Sequence, residues 1–132
     1  MTWVEIEVEA AVNPTESVEK VEMAVRNVLG DIDLKRTARG DRTVLKGRLE
    51  GVESLHRLKG LLGKMRIRDA ARAFFARGAQ GNVLAFGLNR QAAYAGRVSF
   101  YRASEAPLGP IQITIKGGVD EAIHYLCEQK KS

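Results

Sequence analysis

The residues of this chain best suited to chemistry are cations, and three of them recur at the spacing of one helical face. Lys64, Arg68 and Arg72 lie four residues apart, so a helix would place them on a single stripe. Arg66 lies nearby, and Asp69 is the acid of that segment that could offset them. Like charges at this spacing repel one another, which favours a surface that contacts phosphate groups. The alternative is a solvated helix face paired to acids elsewhere.

A second group of cations is interleaved with tyrosines nearer the C-terminus. Arg90, Arg97 and Arg102 flank Tyr94 and Tyr101. An arginine guanidinium suits bidentate contact with phosphate, and a tyrosine ring can stack on an unpaired base. The alternative for both tyrosines is packing in the core or in an interface, with the hydroxyl group satisfied at the edge. The candidate nucleic-acid-binding residues are therefore Lys64, Arg68, Arg72, Arg90, Tyr94, Arg97 and Arg102.

Other kinds of site lack the residues that they need. His56 and His124 have no Cys, His or carboxylate at ligand spacing, which argues against a metal site and favours surface histidines. Cys127 has no evident histidine partner, so a buried structural thiol is favoured over a nucleophile. Neither glycine-rich nucleotide-binding motif occurs, and residues 11–14 lack the arginine and glycines of an acylphosphatase-type phosphate loop. We expect no catalysis, no metal and no cofactor.

Length and charge limit the class of protein. The 132 residues, of which 45% are hydrophobic and 28% charged, predict one folded domain spanning 1–132. Residues 35–102 carry sixteen Lys and Arg against four acids, a net charge of +12, and such a block attracts polyanions. No apolar run approaches the roughly 18 residues of a membrane span, and the acidic N-terminal stretch argues against a secretory signal. Because Cys127 is the sole cysteine, the expected location is the reducing cytoplasm.

The periodicity of apolar residues predicts the elements that would position these side chains. Alternation predicts strands, and recurrence at three and four residues predicts helices. The predicted strands span residues 4–10, 31–37, 42–51, 82–88, 97–101 and 111–115. The predicted helices span residues 14–29, 54–62, 65–77, 89–95 and 120–128. Asn13, Pro14 and Glu16 predict the cap of the first helix, and Gly30 predicts its end.

The order of these elements predicts an α+β fold. We expect a ferredoxin-like sandwich, an antiparallel sheet with helices packed on one face, extended by a C-terminal β-β-α unit. The first and third strands would be neighbours. Their open face would then carry cross-strand ion pairs between two rows of charges: Glu5, Glu7 and Glu9 with Arg42, Lys46 and Arg48. That face lacks the aromatic residues on which RNA-recognition-motif sheets stack bases, which excludes that mode of binding.

Three stretches of the chain carry a family resemblance: VEIEVEAAVNPTESVEKV, RDAARAFF and RQAAYAGRVSFYRASEAPLGPIQITI. They resemble an archaeal family of small proteins predicted to bind RNA, over about residues 1–128. The resemblance implies a ribosomal-protein-L-five-like fold, a homodimer and a thermophilic source, and it brings no catalytic residue with it. The matching motif positions are Pro14, Thr15, Glu16, Asp69, Ala71, Arg72, Gln91, Tyr94, Gly96, Pro107, Leu108, Gly109 and Pro110.

Two functions stay open at this point. The first is binding of structured RNA, in which the basic helix and the Arg/Tyr segment contact phosphate and Tyr94 stacks on a base. The alternative is a protein–protein adaptor or dimeric structural module that binds no nucleic acid. In that case the acidic N-terminal third would meet the basic middle of a partner. RNA and a second copy of the chain are the expected partners, and a membrane is not.

Overall fold

The computed structural model describes residues 3–102 and 108–128. Within these ranges the sheet contains the strands β1 Val4–Val12, β2 Lys35–Arg39, β3 Arg42–Glu50, β4 Ala79–Gln80, β5 Val83–Asn89 and β6 Pro110–Gly117. The α-helices are α1 Val18–Leu29, α2 His56–Lys64, α3 Arg68–Gly78, α4 Arg90–Tyr94 and α5 Val119–Cys127, and a 3-10 turn, Val52–Leu55, precedes α2. Pro107, one of the matching motif positions, lies outside the described residues.

The six strands form one antiparallel sheet in the order β2-β3-β1-β6-β5-β4. β1 pairs with β3 and with β6, so the first and third strands are neighbours as predicted. A ferredoxin-like sheet would place the strand after the second helical crossover beside β1. Here β6 occupies that position, with Ile111, Ile113 and Ile115 fully buried, and β5 lies beyond it. The α+β class is therefore confirmed, and the ferredoxin-like strand order is not.

The helices pack on one face of the sheet and bury its apolar side chains. Inward residues of β1, β5 and β6 form one core cluster with residues of all five helices. Phe75 of α3 is fully buried, and its ring centroid lies 4.9 Å from that of Phe86 and 5.6 Å from that of Phe100. Because a buried phenylalanine contributes several kcal/mol (about 3–5 when cut back to alanine), this aromatic cluster fixes α3 firmly on the sheet.

The opposite face of the sheet carries the predicted rows of charge. Its ion pairs join neighbouring strands: Arg48 with Glu5, Lys46 with Glu9 at 3.7 Å, and Lys116 with Glu7 at 3.3 Å. The prediction of a cross-strand lattice is confirmed, although Arg42 forms no ion pair within the described ranges and Lys116 of β6 joins instead. Since such half-exposed pairs contribute only about 0–1 kcal/mol each, the lattice mainly neutralises the charge of this face.

The first helix begins later than predicted. Ser17 caps it, because its hydroxyl accepts a hydrogen bond from the backbone N–H of Lys20 at 3.3 Å. The predicted cap residues form a separate turn, in which Glu16 accepts from the backbone and side-chain amides of Asn13 at 3.0 and 2.9 Å. The predicted cap was wrong because the hydroxyl of Ser17, four residues after Asn13, caps the helix instead. Gly30 ends α1 as predicted, with φ +82°.

The segment at residues 97–101 does not form the predicted strand. It makes one bridge to β5, between Phe100 and Leu88. The Phe100 ring then stacks on Phe74 of α3, with 4.1 Å between ring centroids. The backbone of the segment hydrogen-bonds to the edge of β5 on either side of Phe100 and makes no longer ladder in the described chain. The strand prediction was wrong because this pairing is too short to form a strand, while the side chain of Phe100 packs on α3.

Candidate nucleic-acid interface

Arg90 is the most deeply buried of the predicted phosphate-contacting residues. It begins α4, which Asn89 caps by accepting hydrogen bonds from the backbone N–H groups of Gln91 and Ala92 at 2.9 and 3.0 Å. The Arg90 side chain is only 4% exposed. Its hydrogen bonds reach the carbonyl oxygens of Ala11, Gly109 and Pro110 at 2.7, 2.6 and 3.0 Å and the Glu16 carboxylate at 2.9 Å.

The Arg90 guanidinium therefore joins three distant segments: the end of β1, the turn before α1 and the start of β6. Glu16 is itself only 12% exposed, so the Arg90–Glu16 pair is an internal ion pair. A buried guanidinium must find acceptors for its donors, and here the chain supplies them. The sequence predicted phosphate contact at Arg90. Its geometry is that of an internal anchor.

A groove of about 420 Å³ lies between α1 and α4, directly above this anchor. Its lining comes from two of the three stretches that carry the family resemblance: Thr15 and Glu16 from the first, and Gln91, Tyr94 and Leu108 from the last. Tyr94 is 45% exposed at the rim. The side-chain amide of Asn27 on α1 donates to the carbonyls of Ala93 and Tyr94 at 3.0 and 3.1 Å, which fixes the end of α4.

The predicted stripe of Lys64, Arg68 and Arg72 is not formed on one helix. Lys64 is the last residue of α2, and Arg68 is the first residue of α3. Between them the chain turns through Arg66, whose φ is +58°, a left-handed value that non-glycine residues seldom adopt. The helix predicted over residues 65–77 thus begins later and continues to Gly78. Only Arg68 and Arg72 share its surface.

The side chain of Arg72, a residue of α3, reaches the C-terminal end of α5. Its Nη2 donates to the Glu128 carboxylate at 2.6 Å and to the Cys127 carbonyl at 3.3 Å. The hydrogen bond raises the pKa of Arg72 above its ordinary value and holds the pKa of Glu128 below its usual range. Lys59 of α2 donates to the carbonyls of Tyr125 and Glu128. These cations satisfy helix-end carbonyls and complement the negative end of the helix dipole.

Arg68 is placed differently from Arg72. Its guanidinium lies over Gly63 of α2, and its Nε is the one buried side-chain polar atom in the described part of the chain with no hydrogen-bond partner. A pocket of about 340 Å³ lies beside it and is lined by Gly63, Arg66, Arg68, Arg72 and Glu128. The sequence indicated the basic character of this region. The sequence did not reveal that Gly63 would leave space for the Arg68 guanidinium, because a glycine between two predicted helices indicates only that the first helix ends.

Arg97 joins the two predicted basic regions. The backbone N–H of the next residue, Val98, donates to the sulfur of Met65 at 3.3 Å, in the turn that also contains Arg66. The backbone N–H of Arg97 donates to the carbonyl of Ala92 in α4 at 2.9 Å. Arg97 therefore lies between the α2–α3 turn on one side and the helix of Tyr94 on the other.

Three exposed cations of this region form no ion pair with another described residue. Lys64, Arg66 and Arg97 are exposed, and none forms an ion pair within residues 3–102 and 108–128. Arg102 is also exposed, five residues beyond Arg97. Tyr101 is half-buried against the backbone of Gly87 in β5, so it packs rather than projects. Tyr94 is the aromatic residue of this region whose ring has room to contact a ligand.

Residues considered for other chemistry have ordinary positions. Cys127 is buried, as predicted for a structural thiol, and burial raises its pKa. His56 and His124 are exposed, as predicted. In the described ranges, no group of three or more His, Cys, Asp or Glu side chains is arranged to hold a metal ion. The same ranges contain no helix with the length and apolar character to cross a membrane.

Comparison with known proteins places the chain in a family. A family model described as RNA binding matches residues 5–117, which include every predicted site residue. The chain belongs to this family. A UPF0201 protein of Thermococcus onnurineus is 43% identical over 112 residues, which cover 85% of this chain and 82% of the relative. One of Aeropyrum pernix is 43% identical over 127 residues, covering 94% and 85%. The predicted membership of an archaeal RNA-binding family is confirmed.

Two solved structures have a similar fold. The crystal structure of the UPF0201 protein from Methanococcus jannaschii is similar with a TM-score of 0.85 at 29% identity, covering 94% of this chain and 99% of that one. Protein AF2318 of Archaeoglobus fulgidus is similar with a TM-score of 0.70 at 20% identity, covering 96% and 97%. The second likeness concerns the fold alone.

Proposed function

We propose that this protein binds RNA through a surface that runs from the α2–α3 turn across Arg97 to Tyr94. Lys64, Arg66 and Arg97 contact phosphate groups, and Tyr94 stacks on an unpaired base. The observation that carries this proposal is the contact of Val98 with Met65, which brings exposed cations from distant parts of the chain together beside an exposed aromatic ring. Membership in an RNA-binding family supports the same proposal.

The other predicted site residues have different parts in this proposal. Arg102 extends the cationic surface along the same segment. Arg68 faces the pocket between α2, α3 and the end of α5. Arg72 and Arg90 act indirectly, because the guanidinium of each binds groups of its own chain. Arg72 supports the end of α5, and Arg90 fixes the helix that presents Tyr94. No residue is assigned a catalytic part.

The preferred RNA is structured and contains an unpaired base. Phosphate contacts provide affinity that depends little on sequence, and aromatic stacking needs a base that has left the helical stack. A stem with a loop or bulge offers both. A bare duplex would engage the cations and leave Tyr94 without a ligand.

The experiment is a salt series of RNA affinity for the unaltered protein and matched variants. Fluorescence anisotropy with a labelled stem–loop should give a linear log–log plot, with a slope of about 0.7–0.9 per phosphate contacted. Arg97→Ala should weaken binding and lower the slope by about one contact. Tyr94→Ala should weaken binding about tenfold or more, since base stacking contributes about 1–3 kcal/mol, while Tyr94→Phe should retain it.

The control for charge alone is Arg42→Ala, which removes an exposed arginine from the β2–β3 end of the sheet. It lowers the net charge as much as Arg97→Ala does, so a specific surface requires that the two variants differ. Affinity that ignores salt, or equal losses for both arginine variants, would contradict the proposal.

The second candidate function is a dimeric or adaptor module. Met23 on α1 is 52% exposed and Tyr94 on the neighbouring helix α4 is 45% exposed, and exposed apolar side chains of this size favour a protein interface. Mass measurement in solution with and without RNA separates the two functions. A homodimer that forms regardless of RNA and does not bind it would favour the adaptor.

Three broader expectations accompany the proposal. A ribosomal-protein-L-five-like relationship is supported by the resemblance of the sequence motifs. A single folded unit is supported by the continuous six-stranded sheet. A cytoplasmic location is supported by the single, buried thiol, which suits a reducing compartment.

A further inference from the structure

A second cationic site lies at the junction of α2, α3 and α5. We call it the turn pocket and define it by Gly63, Arg66, Arg68, Arg72 and Glu128, which line a cavity of about 340 Å³. The proposed RNA surface shares Arg66 with this cavity, while Lys64, Arg97 and Tyr94 of that surface are outside its lining. The turn pocket is concave, and its positive groups come from α3, which carries Arg68 and Arg72, and from the turn before it, which carries Arg66.

The first observation that points to a ligand is the state of Arg68. Its Nε is buried and donates to no acceptor in the described chain. Buried polar atoms in folded proteins nearly always have a hydrogen-bond partner, and each exception calls for an explanation. The guanidinium of Arg90, which is buried as a whole, has acceptors for Nε and for both Nη groups. An acceptor supplied by a ligand would explain the difference.

The second observation is the backbone that makes the pocket. The Arg68 guanidinium occupies the space that a β-carbon at residue 63 would fill, so a side chain there would displace the guanidinium from its present position. Arg66 has φ +58° without being glycine or asparagine. Left-handed backbone at such a residue is strained and recurs at ligand sites, where surrounding structure maintains it. The missing side chain at Gly63 leaves space for Arg68, and the left-handed backbone places Arg66 in the turn, so each feature positions one arginine at the wall of the pocket.

The third observation is that an anion already binds part of the pocket. The Glu128 carboxylate lies 2.6 Å from Nη2 of Arg72. α3 begins at Arg68 with no side-chain cap, so the N–H groups of its first turn also point to the pocket end of the helix. Among the described residues that line the pocket, the acids that face the three arginines are Asp69 and Glu128. The excess of arginines suits a bound anion. The Glu128 carboxylate pairs with Arg72 and forms no ion pair with Arg68 in the described chain.

We propose that the turn pocket binds one phosphate group, with Arg68 as its principal ligand and Arg66 as its second. A phosphate that draws the guanidinium away from Gly63 gives Nε and one Nη group two oxygen acceptors in the bidentate geometry that arginine favours. The Glu128 carboxylate competes with this phosphate by charge. The inference rests on the proposed function only for its source, which would be a phosphate of bound RNA.

The direct test is titration of the isotopically labelled, unaltered protein with inorganic phosphate, against sodium chloride at matched ionic strength. The expected result is a saturable shift of the Arg68 Nε–H signal and of the backbone signals of residues 68–70 in nuclear magnetic resonance spectra. If phosphate leaves these signals where chloride leaves them, the inference is overturned. This arm needs no variant, so it does not depend on any substitution that fails to fold.

Variants then test the assignment to residues. Arg68→Gln should weaken phosphate binding about tenfold, the loss expected for one bidentate charge-assisted contact. The matched control is Arg77→Gln, which removes an exposed arginine from the other end of the same helix and should leave affinity unchanged. Glu128→Gln should strengthen binding about threefold, because a competing negative charge is removed. Equal affinities for the Arg68 and Arg77 variants would overturn the inference.

Two oligoribonucleotides identify the source of the phosphate. They share one sequence, and one bears a 5′-phosphate where the other has a 5′-hydroxyl. Equal loss of affinity on Arg68→Gln indicates a backbone phosphate, and loss confined to the phosphorylated oligonucleotide indicates a terminal one. If neither loses affinity, RNA does not use the pocket and the proposed source is wrong, although the proposed RNA surface can still hold. If the phosphate titration succeeds and no RNA binds, the proposed function fails and the anion site stands.

Discussion

Replacement of Arg90 by alanine should destabilise the fold strongly. The side chain is 4% exposed and hydrogen-bonds to three carbonyls and to Glu16, itself 12% exposed. Removing one partner of a buried ion pair costs about 3–5 kcal/mol, because the other charge is left unpaired. Lost charge-assisted hydrogen bonds to carbonyls cost about 1.5–3 kcal/mol each, and water entering the cavity recovers part of that. We expect Arg90→Ala to lower the free energy of unfolding by about 4 kcal/mol.

Urea denaturation followed by circular dichroism measures this change. Arg97→Ala is the control, since an exposed arginine close to α4 should alter stability by no more than about 0.5 kcal/mol. A double-mutant cycle of Arg90→Ala with Glu16→Ala should show a coupling of about 1–3 kcal/mol, because each removes a partner of the other. A loss below about 1 kcal/mol for Arg90→Ala would refute the internal anchor. Reduced RNA affinity at unchanged stability would instead restore the phosphate contact predicted from the sequence.

Three further predictions concern the core, the end of α5 and two glycines. Phe75→Ala should lower the free energy of unfolding by about 3–5 kcal/mol in thermal or urea denaturation, whereas Phe75→Leu should cost about half as much. The lowered pKa of Glu128 means that its pair with Arg72 stabilises the fold above the ordinary carboxyl pKa, and this contribution is lost as pH falls below about 4.5. Stability measured against pH should therefore decline less steeply there in Arg72→Gln. Gly117→Ala should lower the melting temperature far more than Gly40→Ala, because an added β-carbon at Gly117 meets backbone atoms and at Gly40 meets nothing within 4 Å.

The cations of the middle segment divide into groups that their residue type does not distinguish. Lys59, Arg72 and Arg90 bind acceptors of their own chain, and each holds two or more segments together. Lys64, Arg66 and Arg97 lie on the surface and have no such acceptors among the residues that the structure describes. The net charge of +12 over residues 35–102 therefore overstates the charge that is free to attract a polyanion. A partner meets the exposed group, while the buried group determines where that surface lies.

The local sequence pattern was sufficient to predict most of the strands and helices and the charged, open face of the sheet. Alternation in β1 and β3 placed acidic and basic residues on the open side of the sheet, and their ion pairs follow from strand pairing alone. Helix periodicity placed α1 and α5 because each buries one apolar stripe. These features depend on neighbours within a few residues or across one strand pair. Sequence contains that information directly.

The parts of the site were decided by contacts between residues far apart in the chain. Arg90 and Glu16 are 74 residues apart, and nothing near either one reveals that they will be buried together. The turn at Arg66 separates Lys64 from Arg68, because the start of a new helix depends on the packing of α3 rather than on charge spacing. Sequence alone determined which residues carry positive charge and that the chain forms an antiparallel α+β fold. Only the tertiary structure decided which of those charges bind acceptors within the molecule, because the packing of distant segments determines which side chains are buried and which groups they meet.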